Sequence, residues 1–177
     1  MPVFEYEGAY IAQLRHFVGS SGLMDIYLAA RRDGVHFSIP SRTPIIPTGG
    51  KGAWDGGMAL STNRPLELNG KLCAYYGGTL NDHKTPDATN SSAIGRAWLR
   101  KDGFASLSGG VAVTKPIIIE RLHINARGKV VINVNNAKTV FQGDSTDAVI
   151  ACPSSNSVPV KVEFDLAEGE LFSFWSE

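Results

Sequence analysis

Two acidic residues stand in matching local settings, Glu7 within Tyr6-Glu7-Gly8 and Asp55 within Trp54-Asp55-Gly56, with an aromatic residue before each acid and a glycine after it. Two carboxyl groups flanking one bond are what glycosidic cleavage needs, one as acid and the other as nucleophile or base. Tyr6 and Trp54 would supply flat apolar faces on which a sugar ring can stack. His16, and His83 in the polar stretch from Asn81 to Ser92, add groups that donate or accept a hydrogen bond with a ligand hydroxyl. Glu7 and Asp55 are thus the candidate catalytic pair, with Tyr6, Trp54, His16 and His83 as candidate substrate contacts. Each has a structural alternative: acids that accept backbone hydrogen bonds in loops, aromatics that fill a core, histidines that face solvent. Asp33 and Asp102 each precede a glycine, the signature of a turn.

Other chemistries find no support in the residue pattern. Gly19-Ser20-Ser21-Gly22 has the wrong spacing for a nucleophile elbow, and Gly49-Gly50-Lys51-Gly52 lacks both the upstream glycine and the following Ser or Thr of a phosphate loop. Cys73 and Cys152 have no Cys or His at ligand spacing, so neither a disulfide framework nor a zinc site is indicated, and no metal or other cofactor is expected. Lys plus Arg and Asp plus Glu number 17 each. That balance leaves no positive field for a phosphate backbone, so nucleic acid is not an expected partner. No apolar run reaches the roughly 20 residues of a membrane helix, and the first seven residues lack the basic and apolar regions of a signal peptide, so no membrane partner is expected either. Asn90-Ser91-Ser92 matches a glycosylation acceptor pattern too short to decide the compartment.

At 177 residues and 43% hydrophobic content the chain can bury a substantial core. Apolar alternation predicts strands at Ala9 to Phe17, Met24 to Ala30, Val35 to Ser38, Met58 to Ser61, Lys71 to Tyr76, Ala93 to Leu99 and Phe104 to Leu107. Hairpins are expected around Asp33-Gly34 and Asp102-Gly103, and a turn at Asn69-Gly70. Between Ile39 and Gly52 the prolines at 40, 44 and 47 and the glycines at 49, 50 and 52 exclude regular structure. The order aromatic-acid-glycine, then basic pair-Asp-Gly, occurs twice, so residues 1–107 read as about two four-stranded units. Beyond Gly109-Gly110, Val158, Val160, Val162, Phe164 and Leu166 alternate with Pro159, Lys161, Glu163 and Asp165, as a half-buried strand does. Further strands are expected at Val113 to Ile119, Leu122 to Asn125, Lys129 to Asn135, Ala148 to Cys152 and Leu171 to Trp175, with turns at Arg127-Gly128 and Gly143-Asp144-Ser145. The chain is therefore expected to be all-β, and six or more strands over residues 108–177 predict a β-sandwich.

Tyr6-Glu7-Gly8-Ala9-Tyr10-Ile11, Leu28 through Phe37, Trp54-Asp55-Gly56-Gly57, Tyr75-Tyr76-Gly77-Gly78 and Arg100-Lys101-Asp102-Gly103-Phe104 together form a series. The series resembles the end of propeller-type glycoside hydrolase-like proteins of the invertase/levanase and arabinanase/xylosidase type, in which five blades precede a β-sandwich. The resemblance implies a partial β-propeller over residues 1–107, about two blades, and a C-terminal β-sandwich over residues 108–177. It also implies a glycan or oligosaccharide partner, and a catalytic set whose remaining acids lie on earlier blades that this stretch does not contain. Three readings follow: a hydrolase segment, a non-catalytic glycan-binding or structural module, and a chain that self-associates through open sheet edges.

Overall fold

The computed structural model describes residues 1–85, 91–155 and 157–177, so Asn90 of the acceptor pattern and part of the Asn81 to Ser92 stretch lie outside the described residues. The described chain is all-β, with twelve strands and no helix. They are β1 (Val3–Tyr6), β2 (Ala9–Phe17), β3 (Met24–Arg31), β4 (Met58–Ser61), β5 (Leu66–Leu68), β6 (Lys71–Thr79), β7 (Ser92–Arg100), β8 (Leu107–Ser108), β9 (Val111–Val113), β10 (Leu122–Val134), β11 (Ala137–Ile150) and β12 (Val162–Ser176). The chain divides into two compact units, Met1–Leu99 and Arg100–Glu177, whereas the sequence pattern placed the boundary after residue 107.

In the first unit the strands form one seven-stranded sheet in the order β1-β2-β3-β4-β6-β5, with β7 also paired to β6, rather than two separate four-stranded sheets. Two of its hairpins close through two-residue turns in which both residues have positive φ: Glu7-Gly8 at 45° and 70°, and Asn69-Gly70 at 52° and 71°. That backbone is the type I′ turn, whose twist suits antiparallel strands. The expected hairpin at Asp33-Gly34 is reduced to a single bridge, Ala30 to Ser38, around a seven-residue loop. In that loop Asp33 accepts hydrogen bonds from the Val35 and His36 amides, which hold its carboxyl below the usual aspartate range. Strands β3 and β4 meet only at Met24 and Met58, and the sheet curls beyond that point. The curl lets the Ser61 hydroxyl on β4 donate to the Gln13 carbonyl on β2 at 3.3 Å, and Arg15 Nη2 donate to the Ser61 carbonyl at 2.7 Å. Ile26, Ile46 and Ala59 are buried beneath it, with Tyr76 and Ala97 packed against them.

The second unit is one five-stranded sheet in the order β11-β10-β12-β8, with β9 also on β12. Strands β10 and β11 continue through Gly128 and Gly143, which the sequence pattern reads as turns, and β12 continues through Gly169. Gly128 on β10 faces Gly143 on β11 and Gly169 on β12, a row of three glycines across the sheet. A Cβ on Gly128 would lie 2.6 Å from the Glu168 carbonyl oxygen, and one on Gly169 would lie 2.5 Å from that of Lys129. Gly128 also has a φ of +84°. Only residues without a Cβ tolerate this approach and this backbone. The row is a crease. Phe164 and Phe174 both belong to β12 and would stand about 33 Å apart on a straight strand; their ring centroids are 5.3 Å apart. The sheet thus folds over on itself and encloses Leu122, Ile124, Val130, Ile132, Val134, Val162 and Phe164, none more than 1% exposed. A sandwich-like core is built from five strands of one sheet, instead of six or more short strands in two.

Phe104 to Leu107 is not a strand partner of β7, so the expected hairpin at Asp102-Gly103 does not form: β7 pairs with β6, and β8 pairs with β12. Residues 100–103 act instead as a clasp on the outer face of the creased sheet. Arg100 donates from Nε to Asn125 Oδ1 at 2.9 Å, from Nη1 to Asp144 at 2.6 Å and from Nη2 to the Ser145 carbonyl at 2.9 Å, with its guanidinium over the Phe172 ring. Asn125, fully buried, returns a bond from Nδ2 to the Lys101 carbonyl, and Ser173 donates to Asp102 Oδ2. Replacing Gly128 by Val should cost about 3–5 kcal/mol through strain and collision. Gly50→Ala, where an added Cβ meets nothing within 4 Å, should stay within about 0.5 kcal/mol. Denaturant unfolding followed by circular dichroism separates the two outcomes.

Candidate functional site

The first unit holds the arrangement with the clearest chemical content, centred on Trp54 and Asp55. They lie in the glycine-rich loop ahead of β4, which folds as successive tight turns: the Ala53 amide donates to the Gly50 carbonyl and the Gly56 amide to the Ala53 carbonyl, each at 2.9 Å. The loop is tied down at both ends, by the Thr48 amide on Asp25 Oδ1 at 2.7 Å and by the Gly57 amide on the Thr79 carbonyl at 2.8 Å. This places Asp55 inward, 8% exposed, where its Oδ2 accepts a 2.7 Å hydrogen bond from the Tyr76 hydroxyl. Burial and the neighbouring carboxylate push the Tyr76 phenol up to about 12. The bond therefore keeps its proton on tyrosine throughout the physiological range.

Trp54 lies across the sheet on a glycine seat. A Cβ on Gly95 of β7 would stand 2.7 Å from its Cη2, and one on Gly78 of β6 would collide with its Cζ3. A Cβ on Gly49 would collide with Asp55 Oδ1, so glycine underlies the acid as well. The Tyr76 ring is 5.6 Å from the indole, tilted by 36°. Held on these sides, Trp54 still leaves 41% of its surface exposed. The indole is thus packed against the sheet and partly open to solvent.

Asp55 and Trp54 are brought together; the other candidate residues are not. Glu7 sits at the tip of the β1–β2 hairpin, exposed and at positive φ. Its end of the sheet is the Arg31 end of β3, because Tyr10 pairs with Arg31, while the Asp55 loop lies at the Met24 end, where the Met24 amide donates to the Gly57 carbonyl. Seven steps along β3 amount to about 23 Å, against the roughly 5–9.5 Å between the two carboxyl groups of glycosidases. Tyr6 is next to Glu7 at that far end, paired with Ala9. His16 projects from the opposite face of the sheet, its ring 4.9 Å from Tyr27. His83 lies at the Asp55 end, its amide bonded to the Gly22 carbonyl and its ring edge-on to Phe17 at 5.3 Å. No group of three or more His, Cys, Asp or Glu that could hold a metal is present among the described residues.

Tyr76, Gly78 and Gly95 belong to the site although sequence reasoning assigned them no part in it. The signal was available for the glycines, since a glycine inside a strand pattern marks a close approach. No family model, curated protein or solved structure matches this chain.

In an ultraviolet titration, one of the five tyrosines should ionise only near pH 12, and Asp55→Asn should bring that step down toward the ordinary tyrosine range. Because the folded-state value is raised, this bond's contribution to stability should hold below about pH 10 and be lost as the pH climbs toward 12.

Proposed function

We propose that this chain binds glycans at Trp54, as a non-catalytic carbohydrate-binding segment. The observation that carries the proposal is the indole seated on Gly78 and Gly95 with two fifths of its surface open. A sugar presents axial C–H groups to an aromatic face, and a ring already fixed by its surroundings loses little conformational freedom on binding. Asp55 serves this site as a positioning group: its carboxylate holds the Tyr76 hydroxyl, and Tyr76 flanks the indole. The distance between Glu7 and Asp55 along β3 favours binding over hydrolysis. Kinship with the five-bladed propeller hydrolases, and the description as propeller blades followed by a sandwich, belong to the same proposal; they rest on the motif series.

The test is titration of the whole chain with fructo-, arabino- and xylo-oligosaccharides by calorimetry. At least one series should bind, and Trp54→Ala should weaken it by about tenfold or more, equal to about 1.4 kcal/mol. Glu7→Gln should bind as the parent does. A Trp54→Ala chain that binds unchanged, or a parent that binds none of the three series, overturns the proposal.

A further inference from the structure

The second unit contains a buried histidine with one nitrogen bonded and the other unpaired. His123 on β10 exposes 7% of its side chain, and its ring is stacked on Trp175 of β12 at 5.1 Å and 19°. Nδ1 lies 2.6 Å from Asp147 Oδ1 on β11. A carboxylate only accepts, so Nδ1 carries a proton; in the neutral form of the ring Nε2 is then a bare lone pair. Nε2 is buried and makes no hydrogen bond, and the group set before it is another acceptor, Glu177 Oε2 at 3.7 Å.

We infer that His123 is a proton-operated latch that fastens the Glu177 end of β12 to β10. One proton taken from solvent onto Nε2 turns two facing acceptors into a donor and an acceptor. The ring becomes an imidazolium between two carboxylates, with the electron-rich face of Trp175 against its own face. The backbone at the latch is a pair of hydrogen bonds: Arg121 amide to Glu177 carbonyl at 3.2 Å, and Glu177 amide to Arg121 carbonyl at 3.1 Å. The charged groups set against the ring are Asp147 from β11, Glu177 beyond β12, and Arg121, whose Nη1 also reaches Glu177 Oε2 at 3.7 Å. Asp102, bonded to Ser173 and Asn125, lies further along the same face. With the ring neutral, Arg121 faces Glu177 as a cation at 3.7 Å; with the ring protonated, His123 joins it. Asp147 and Glu177 expose 62% and 63% of their side chains, so both carboxylates stay in contact with solvent beside the buried ring. The latch closes on the acid side and opens as the pH rises.

Amide hydrogen exchange of Arg121 and Glu177 in the whole chain, corrected for the intrinsic pH dependence of exchange, reads the latch directly. Between about pH 8 and about pH 5, the span in which histidine changes charge, protection of both amides should rise about tenfold, as expected of a hydrogen bond to a charged group. His123→Asn keeps a donor for Asp147 and should remove the rise. Glu177→Gln, an exposed change that leaves the core untouched, should remove most of it. A flat profile in the parent overturns the inference, and so does a full rise in either variant. If His123→Asn does not fold, the parent profile and Glu177→Gln decide alone.

Discussion

The approach of one backbone to another at Gly128, closer than any side chain tolerates, sets the form of the second unit. With no Cβ at Gly128 or Gly169, β10 and β12 turn together, and Gly143 lets β11 follow. Once the crease exists, the two halves of each strand face each other and the alternating apolar residues on both sides meet in one core. Phe164 against Phe174 is the visible result. The cross-strand pairs Arg127–Glu170 and Lys129–Glu168 flank the crease at 2.6 and 2.7 Å. They face solvent and hold register: a slip of one residue would break both and carry the glycines out of line. The Glu168 bond also keeps the Lys129 ammonium above the usual lysine range.

The same missing atom shapes the site in the first unit. Gly49, Gly78 and Gly95 make room for a carboxylate and an indole that would otherwise be displaced from the sheet. What fixes them there is a polar bond, Tyr76 to Asp55, in a setting where neither partner has an easy substitute. A buried carboxylate without that donor would cost more than the bond itself contributes, which makes the pair a strict requirement. Arg100 obeys a related logic in the second unit: its guanidinium satisfies the buried Asn125 amide oxygen while reaching β11.

Much of the strand pattern is legible in the residues. Ala9 to Phe17 and Met58 to Ser61 are strands with the expected bounds, and Asn69-Gly70 turns as its residue types require. Glu7 is where local pattern misleads. Its likeness to Asp55 in flanking residues invites a shared role, yet Glu7-Gly8 adopts the positive-φ turn normally filled by Asn-Gly, and the two acids end at opposite ends of β3. In the same way Arg127-Gly128 and Gly143-Asp144-Ser145 carry turn signals, and both sit inside long strands.

The sequence by itself determined that this chain is all-β, which residues alternate between core and surface, and where two-residue turns with positive φ occur, because those properties depend on a residue and its near neighbours. Tertiary structure alone decided whether a glycine ends a strand or bends it, since that depends on what lies opposite: Gly128 is a crease because Gly143 and Gly169 share its row. It also decided which acid is buried. Asp55 meets Tyr76 across 21 residues of chain, and no local pattern encodes that pairing.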